Sequence, residues 1–387
     1  MIEKPPRVHL WTYPWDLARM GVSDAVRQIT DLGVDALSVA LLYHGGQVLS
    51  LAGDDPELVF PPAGRPLWSL HPDQLPGALR GRTLVPFLQE LRAMLTPQGV
   101  RLRAWTVTFH DAIGLSPITN AVGQTLPHAP CPVANRGYLR SVVEGVSSLG
   151  IADAVELEAA GFMLAFHGAH HEIAGVGMTQ VNQLLLGLCF CAACQRMMLQ
   201  SNLDAALLQH TVRTDLGEML RHDVPMPSLD RYLAEHPDIG QLLHAREEAV
   251  ALGIAEAVTA FPGPVGVIAP SRHAETRLAT LEGLNVEAVR HASNDDRLEW
   301  VTLAYGDPKA GSEDVREAMG AGFRPERVVA GVTLIETADP SLDALEKRVD
   351  SLWAAGARRF SLYNFGILPP ARRRYVQDIT RHLHARA

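Results

Sequence analysis

The chain has 387 residues, 47% of them hydrophobic and 20% charged, with a net charge of −9. That composition supports a large buried core, and an acidic balance with no basic run argues against a nucleic-acid footprint or a polybasic membrane anchor. Four cysteines in so long a chain make no disulfide framework, and MIEKPPRVHLW at the start has no apolar run of the secretory kind, so a cytoplasmic, reducing setting without a membrane partner is expected.

In chain order, one pattern recurs. A helical stretch ends near a glycine, a short Val/Leu/Ile-rich run follows, and polar or aromatic residues stand where that run stops. ITDLGVDALSVALLYHGG from Ile29, LTPQGVRLRAWTVTFHD from Leu95 and VSSLGIADAVELEAAGF from Val146 follow it; so do GAGFRPERVVAGVTLIE from Gly320 and LWAAGARRFSLYNFG from Leu352. Glycine after a helix takes the left-handed cap, and the run beyond it reads as a strand buried on both faces. Strands are expected near Val8–Thr12, Ala36–Leu42, Leu102–Phe109, Ala154–Glu158, Val265–Ala269, Trp300–Ala304, Val328–Ile335 and Phe360–Tyr363. LEGLNVEAVRHAS, just before the sixth, reads as either helix or strand. Between strands, SDAVRQITDLG starts at a Ser23 cap with Val26, Ile29 and Leu32 on one face, and SLDALEKRVDSLWAAG starts at Ser341 with Leu342, Leu345, Val349 and Leu352. Strands alternating with helices pair in parallel, and eight such units predict one α/β domain over residues 1–387, a (β/α)8 TIM barrel. An open doubly wound sheet is the alternative.

Long insertions are expected after strands 2, 3 and 4, at Tyr43–Arg82, His110–Asn135 and Gly161–His244. All follow strand C-termini, the face on which such barrels carry their sites. The third, residues 161–244, reads as a lid-like insertion and not a separate domain. No P-loop, G-x-G-x-x-G, G-x-S-x-G or H-E-x-x-H motif occurs.

Strand alternation in AVELEAAGF puts Glu156 and Glu158 on one face and Val155, Leu157 and Ala159 on the other, so both carboxylates point into the barrel. Either they are a buried charge pair or one works as acid/base or ligand. Glu336, at the end of GVTLIETADPS, is either a second site carboxylate or a loop residue capping the next helix. Two carboxylates across a barrel mouth are what glycosidic cleavage needs. His167, His170, His171 and Glu172 in FHGAHHEI suit either a metal or a polar, hydroxyl-binding loop. Tyr43 and His44, His110 and Asp111, and Tyr363 and Asn364 end strands 2, 3 and 8, and with Trp11 at the end of strand 1 they suggest a polar ligand stacked on aromatics. Trp15 and Trp68 extend the aromatic set. Cys189, Cys191 and Cys194 form C-x-C-x2-C, and with Cys131 they could close a tetrahedral structural zinc site; buried reduced thiols, or a reactive one, are the other readings.

Cys131 with the C-x-C-x2-C trio is similar to the zinc site of the bacterial β-galactosidases of the retaining (β/α)8 glycosidase clan. YHGG…FPPAGRPLW, FHDAIG, CPVANRGYLRSVV, VELEAAGFMLAFHGAHHE and LCFCAAC resemble an uncharacterised bacterial branch of glycoside-hydrolase-like barrels. The resemblance implies a structural zinc on Cys131, Cys189, Cys191 and Cys194, an acid/base at Glu158 (or Glu156) and a nucleophile or base at Glu336. The clan carries Asn before its acid/base, where this chain has Leu157. The expected activity is hydrolysis of a small carbohydrate or glycoside. The alternatives are a metal-dependent sugar or sugar-acid isomerase, epimerase or lyase using the His167/His170/His171 loop with a second metal, or a non-catalytic carbohydrate-binding barrel. Homo-oligomerisation is left open.

Overall fold

Eight strands, β1 (Val8–Thr12), β2 (Ala36–Tyr43), β3 (Arg101–Val107), β4 (Ala154–Glu158), β5 (Val265–Pro270), β6 (Leu298–Leu303), β7 (Val328–Thr333) and β8 (Arg359–Tyr363), pair in chain order, all parallel. β8 returns to β1 with Val8 opposite Phe360, while β1 also pairs β2 with His9 opposite Ala36, so the sheet is a closed barrel. The computed structural model describes residues 7–166, 174–221 and 227–386. His167, His170, His171 and Glu172 lie outside the described residues.

Crossover helices α1 (Val22–Asp31), α2 (Leu84–Leu95), α3 (Tyr138–Leu149), α4 (Pro237–Thr259), α5 (Val286–Ala292), α6 (Pro308–Gly320), α7 (Leu342–Ala355) and α8 (Pro370–His384) surround it. The expected Ser341 cap is present: its Oγ accepts from the Ala344 amide at 3.2 Å. The Ser23 cap is not; α1 begins two residues earlier, with Gly21 at its N-cap. LEGLNVEAVRHAS is helical, split between Leu278–Glu282 and α5 by Gly283 in left-handed backbone at φ 72°.

The outward strand faces are apolar and pack on the helices, as at Val155 and Leu157. The lower lumen is instead ionic. Arg103 donates to Glu156 and Glu299, each at 2.8 Å, and Arg359 donates to Glu299 at 2.6 Å. The side chains of these four residues are at most 2% exposed. Such charges are tolerable in a dry interior only when paired and hydrogen-bonded, as here.

The insertions rise from the C-terminal end. After β2, Val48–Ser50 and Glu57–Val59 form a hairpin, and Arg65–Pro66 pairs antiparallel with the end of β2. After β3, Pro117–Thr119 pairs with Thr125–Pro130. Helices Gln180–Gly187, Ala192–Gln200, Ala205–Arg221 and Leu229–Glu235 follow β4. The Phe190 amide donates to the Thr119 carbonyl at 2.7 Å, tying the insertion after β4 to the one after β3.

Candidate active site

Alternation along the strands sends one residue from each into the upper lumen: Trp11, Tyr43, Trp105, Glu158, Ile268, Leu303, Thr333 and Tyr363, from β1 to β8 in order. With His44, Tyr305, Ile335, Thr337 and Ala338 they line a cavity of about 420 Å³ at the C-terminal mouth. Among the described residues that line it, Glu158 is the one carboxylate.

Glu158 opens into the cavity but is otherwise surrounded by protein. Trp105 Nε1 donates to its Oε2 at 2.5 Å. Thr108 Oγ1 donates to the Glu158 and Ala159 carbonyls, each at 2.9 Å, where Ala159 turns the chain away at φ 51°. Burial pushes the Glu158 carboxyl up to about 7; the Trp105 hydrogen bond opposes this and the Glu156 charge adds to it. A carboxylic acid poised there can give or take a proton near neutrality.

Glu156 has the other fate open to it. It is fully buried, it accepts Arg103 Nε and Trp11 Nε1 at 2.8 Å each, and it does not line the cavity. It is an ion-pair partner one layer below the cavity, not a cavity-facing acid/base as the strand alternation alone allowed.

The wall is aromatic. The Tyr13 hydroxyl lies 2.9 Å from that of Tyr43 and 3.0 Å from that of Tyr363. Burial pushes all three phenols above their usual range, so they remain protonated hydrogen-bonding groups. Tyr43 stacks on His44 at 4.3 Å, and His44 stacks on His110 at 4.2 Å. Burial holds His44 below its ordinary value, with the Gly45 carbonyl and Asp111 opposing.

Other expected residues stand elsewhere. Glu336 is exposed and outside the lining, which takes Ile335 and Thr337 instead. β7 stops at Thr333, whose Oγ1 accepts from the Ile335 amide, and the Ala338 amide donates to the Ile335 carbonyl; Thr333 faces the lumen, so Glu336 has the parity of the outward face, with Val332 and Leu334. Asn364 is fully buried and accepts from the Gly366 amide at 3.1 Å, capping the turn after β8, so it does not face ligand. His110 and Asp111 sit behind His44, off the lining. Trp105 and Tyr305 were missed, although Trp105 shares a strand face with Arg103, a legible sign of inward direction.

The four cysteines converge. Their Sγ atoms lie within 4.8 Å of one another, with Cys131 at 3.4 Å from Cys194 and 3.8 Å from Cys191. A disulfide needs about 2.05 Å, whereas thiolates around tetrahedral zinc at about 2.3 Å stand about 3.8 Å apart. Arg246 supplies a second sign. It is buried, donates through Nη2 to the Leu281 carbonyl at 3.1 Å, and leaves Nε and Nη1 without a hydrogen-bond partner. Burial brings it down to about 10, with Cys194, Cys189 and Cys131 the first charges opposing. A buried guanidinium beside neutral thiols is uncompensated; beside a metal–thiolate centre of net negative charge it is matched. The residues therefore fit a metal. A second group, His273, Asp314 and Glu317, is a loop staple: Asp314 Oδ1 accepts the Arg272 and His273 amides, and Arg272 pairs with Glu317 at 3.6 Å.

No protein-family model and no curated protein matches the chain. Similar solved structures include a β-glycosidase, BGL167, at 12% identity and TM-score 0.42, over 95% of this chain and 87% of that one. The C-terminal domain of a putative chitinase from Desulfitobacterium hafniense DCB-2 is 9% identical with TM-score 0.45, over 98% and 99%. A D-psicose 3-epimerase with D-tagatose from Clostridium cellulolyticum H10 is 8% identical with TM-score 0.41, over 97% and 99%. At such identities chemistry does not transfer between barrels.

Proposed function

We propose that this chain is a glycoside-hydrolase-like enzyme acting on a small carbohydrate or glycoside, with Glu158 as its acid/base. The observation that carries the reading is the Glu158 carboxyl, the one carboxyl among the described cavity-lining residues, held near neutrality by burial and oriented by Trp105, among aromatic walls at a barrel mouth. Trp11, Trp105 and Tyr363 offer faces for the apolar side of a sugar ring, and the tyrosine hydroxyls offer hydrogen bonds to its polar edge. Protonated Glu158 gives its proton to the leaving oxygen as the glycosidic bond breaks; water then supplies hydroxide to the sugar and a proton back to the carboxylate. The four cysteines would hold a structural zinc with no open position, fastening the insertions beside the mouth and taking no part in the reaction.

The test is a panel of nitrophenyl glycosides and oligosaccharides against wild type and Glu158→Gln. Wild type should cleave at least one, and the variant should lose about 10²–10⁴-fold in kcat/KM. No cleavage of any glycoside by wild type, or undiminished cleavage by Glu158→Gln, sinks the proposal.

A further inference from the structure

Tyr13 follows β1, Tyr43 ends β2 and Tyr363 ends β8. β1 pairs with both β8 and β2, so three neighbouring strand ends bring these rings together. Tyr43 and Tyr363 line the cavity, whereas Tyr13 is buried and off the lining. The Tyr13 ring is held by three others: it stacks on Trp15 at 4.6 Å, meets Tyr43 edge-on at 5.1 Å and sits tilted against Trp105 at 5.5 Å. Its hydroxyl is thereby fixed, 2.9 Å from that of Tyr43 and 3.0 Å from that of Tyr363.

A phenol carries one proton and accepts through its lone pairs. Tyr13 has a single proton for two partners, so it donates to one hydroxyl and accepts from the other. Were it to accept from both, its own buried proton would have no acceptor among the described residues, a costly arrangement. The two cavity hydroxyls are therefore unlike. The one that donates to Tyr13 has used its proton and shows the cavity lone pairs alone. The one that accepts from Tyr13 keeps its proton to aim at a ligand. Turning the Tyr13 proton around exchanges the two roles, and neither orientation gives two donors or two acceptors.

We infer that Tyr13 is a positioning residue that couples Tyr43 and Tyr363 into one donor and one acceptor, and that this pair takes two neighbouring hydroxyls of an uncharged sugar ring. A sugar hydroxyl both gives and accepts a hydrogen bond, so two of them satisfy the pair in either orientation. A carboxylate edge, as in a uronic acid, offers acceptors alone and meets lone pairs at one of the two tyrosines. That the ligand is a sugar rests on the glycosidase reading; the coupling of the two hydroxyls does not.

Fluorine replaces a sugar hydroxyl with a group that cannot donate. Methyl glycosides of D-glucose, D-galactose and D-mannose, with their monofluoro and vicinal difluoro analogues, are titrated against the full-length protein by tryptophan fluorescence, since Trp11 and Trp105 line the cavity. In wild type a single fluorine at either recognised position should be tolerated, because the tyrosines exchange roles. The difluoro compound should bind about 10-fold more weakly than the product of the two single losses. In Tyr13→Phe, which keeps the ring and removes the shared hydroxyl, the two losses should simply multiply. Tyr363→Phe breaks the chain of hydroxyls at one end and should abolish the excess as well. Near-UV circular dichroism shows whether each variant is folded; if Tyr13→Phe is not, Tyr363→Phe decides. Losses that multiply in wild type, an excess undiminished in the folded variant, or no binding of any methyl glycoside overturns the proposal. Cleavage is read separately on the nitrophenyl panel: the excess in a protein that cleaves no glycoside would end the glycosidase reading and leave the coupled pair standing.

Discussion

Glu156 and Glu158 sit two residues apart on one strand face, yet differ in what surrounds them. Alternation in AVELEAAGF makes their shared direction legible, but not their depth, which depends on residues far away in sequence. Arg103 and Trp11 saturate Glu156, while Glu158 meets Trp105 and open volume. Glu156→Gln should therefore destabilise the protein by about 3–5 kcal/mol, as a broken buried ion pair does. Urea unfolding measures this; a loss confined to kcat at unchanged stability would contradict it. Asp16 carries a pH prediction. It is fully buried, accepts Ser50 Oγ at 2.5 Å, and burial pushes it from 3.8 to about 7. Between those values the native state binds the proton more often than the unfolded chain, so the stability is complete below about pH 4 and is lost as pH rises through 7. The displacement corresponds to about 4 kcal/mol at most. Asp16→Asn should flatten the fall in urea midpoint between about pH 5 and 8; an unaltered slope would refute this origin.

At the scale of elements, the strands were legible because each follows a glycine-capped helix with a run apolar on both faces. Where they end was less so. The Thr333–Ala338 turn is made by hydrogen bonds that carry no periodicity, so the sequence left Glu336 open between a site carboxylate and a loop residue, and the structure has it exposed. The C-x-C-x2-C spacing was legible locally, but its meeting with Cys131 required the insertions after β3 and β4 to lie together, as the Phe190–Thr119 bond makes them do. Purified protein should contain about one zinc per chain. Cys191→Ser should lower that content and open both insertions to limited proteolysis while the barrel resists. Full zinc retention in Cys191→Ser, by elemental analysis, would remove the cluster from consideration as the site.

The whole molecule is a ring, and counting eight strand signals was enough to predict it. The pairs that fill the ring were not readable, since Arg103 meets Glu299 across 196 residues of sequence. The seating of one residue from every strand around the cavity has a further consequence. If β4 slipped by a single residue against its neighbours, Glu158 would turn outward among helices and Leu157 would turn inward. Such a slip would also strand Glu156 away from Arg103 and leave a charged guanidinium bare in the lumen. The ionic layer thus works as a proofreading device for the layer above it. Barrels closed in the wrong register forfeit their stability and the cavity-facing Glu158 carboxyl together, so the surviving folded population is the population that presents it.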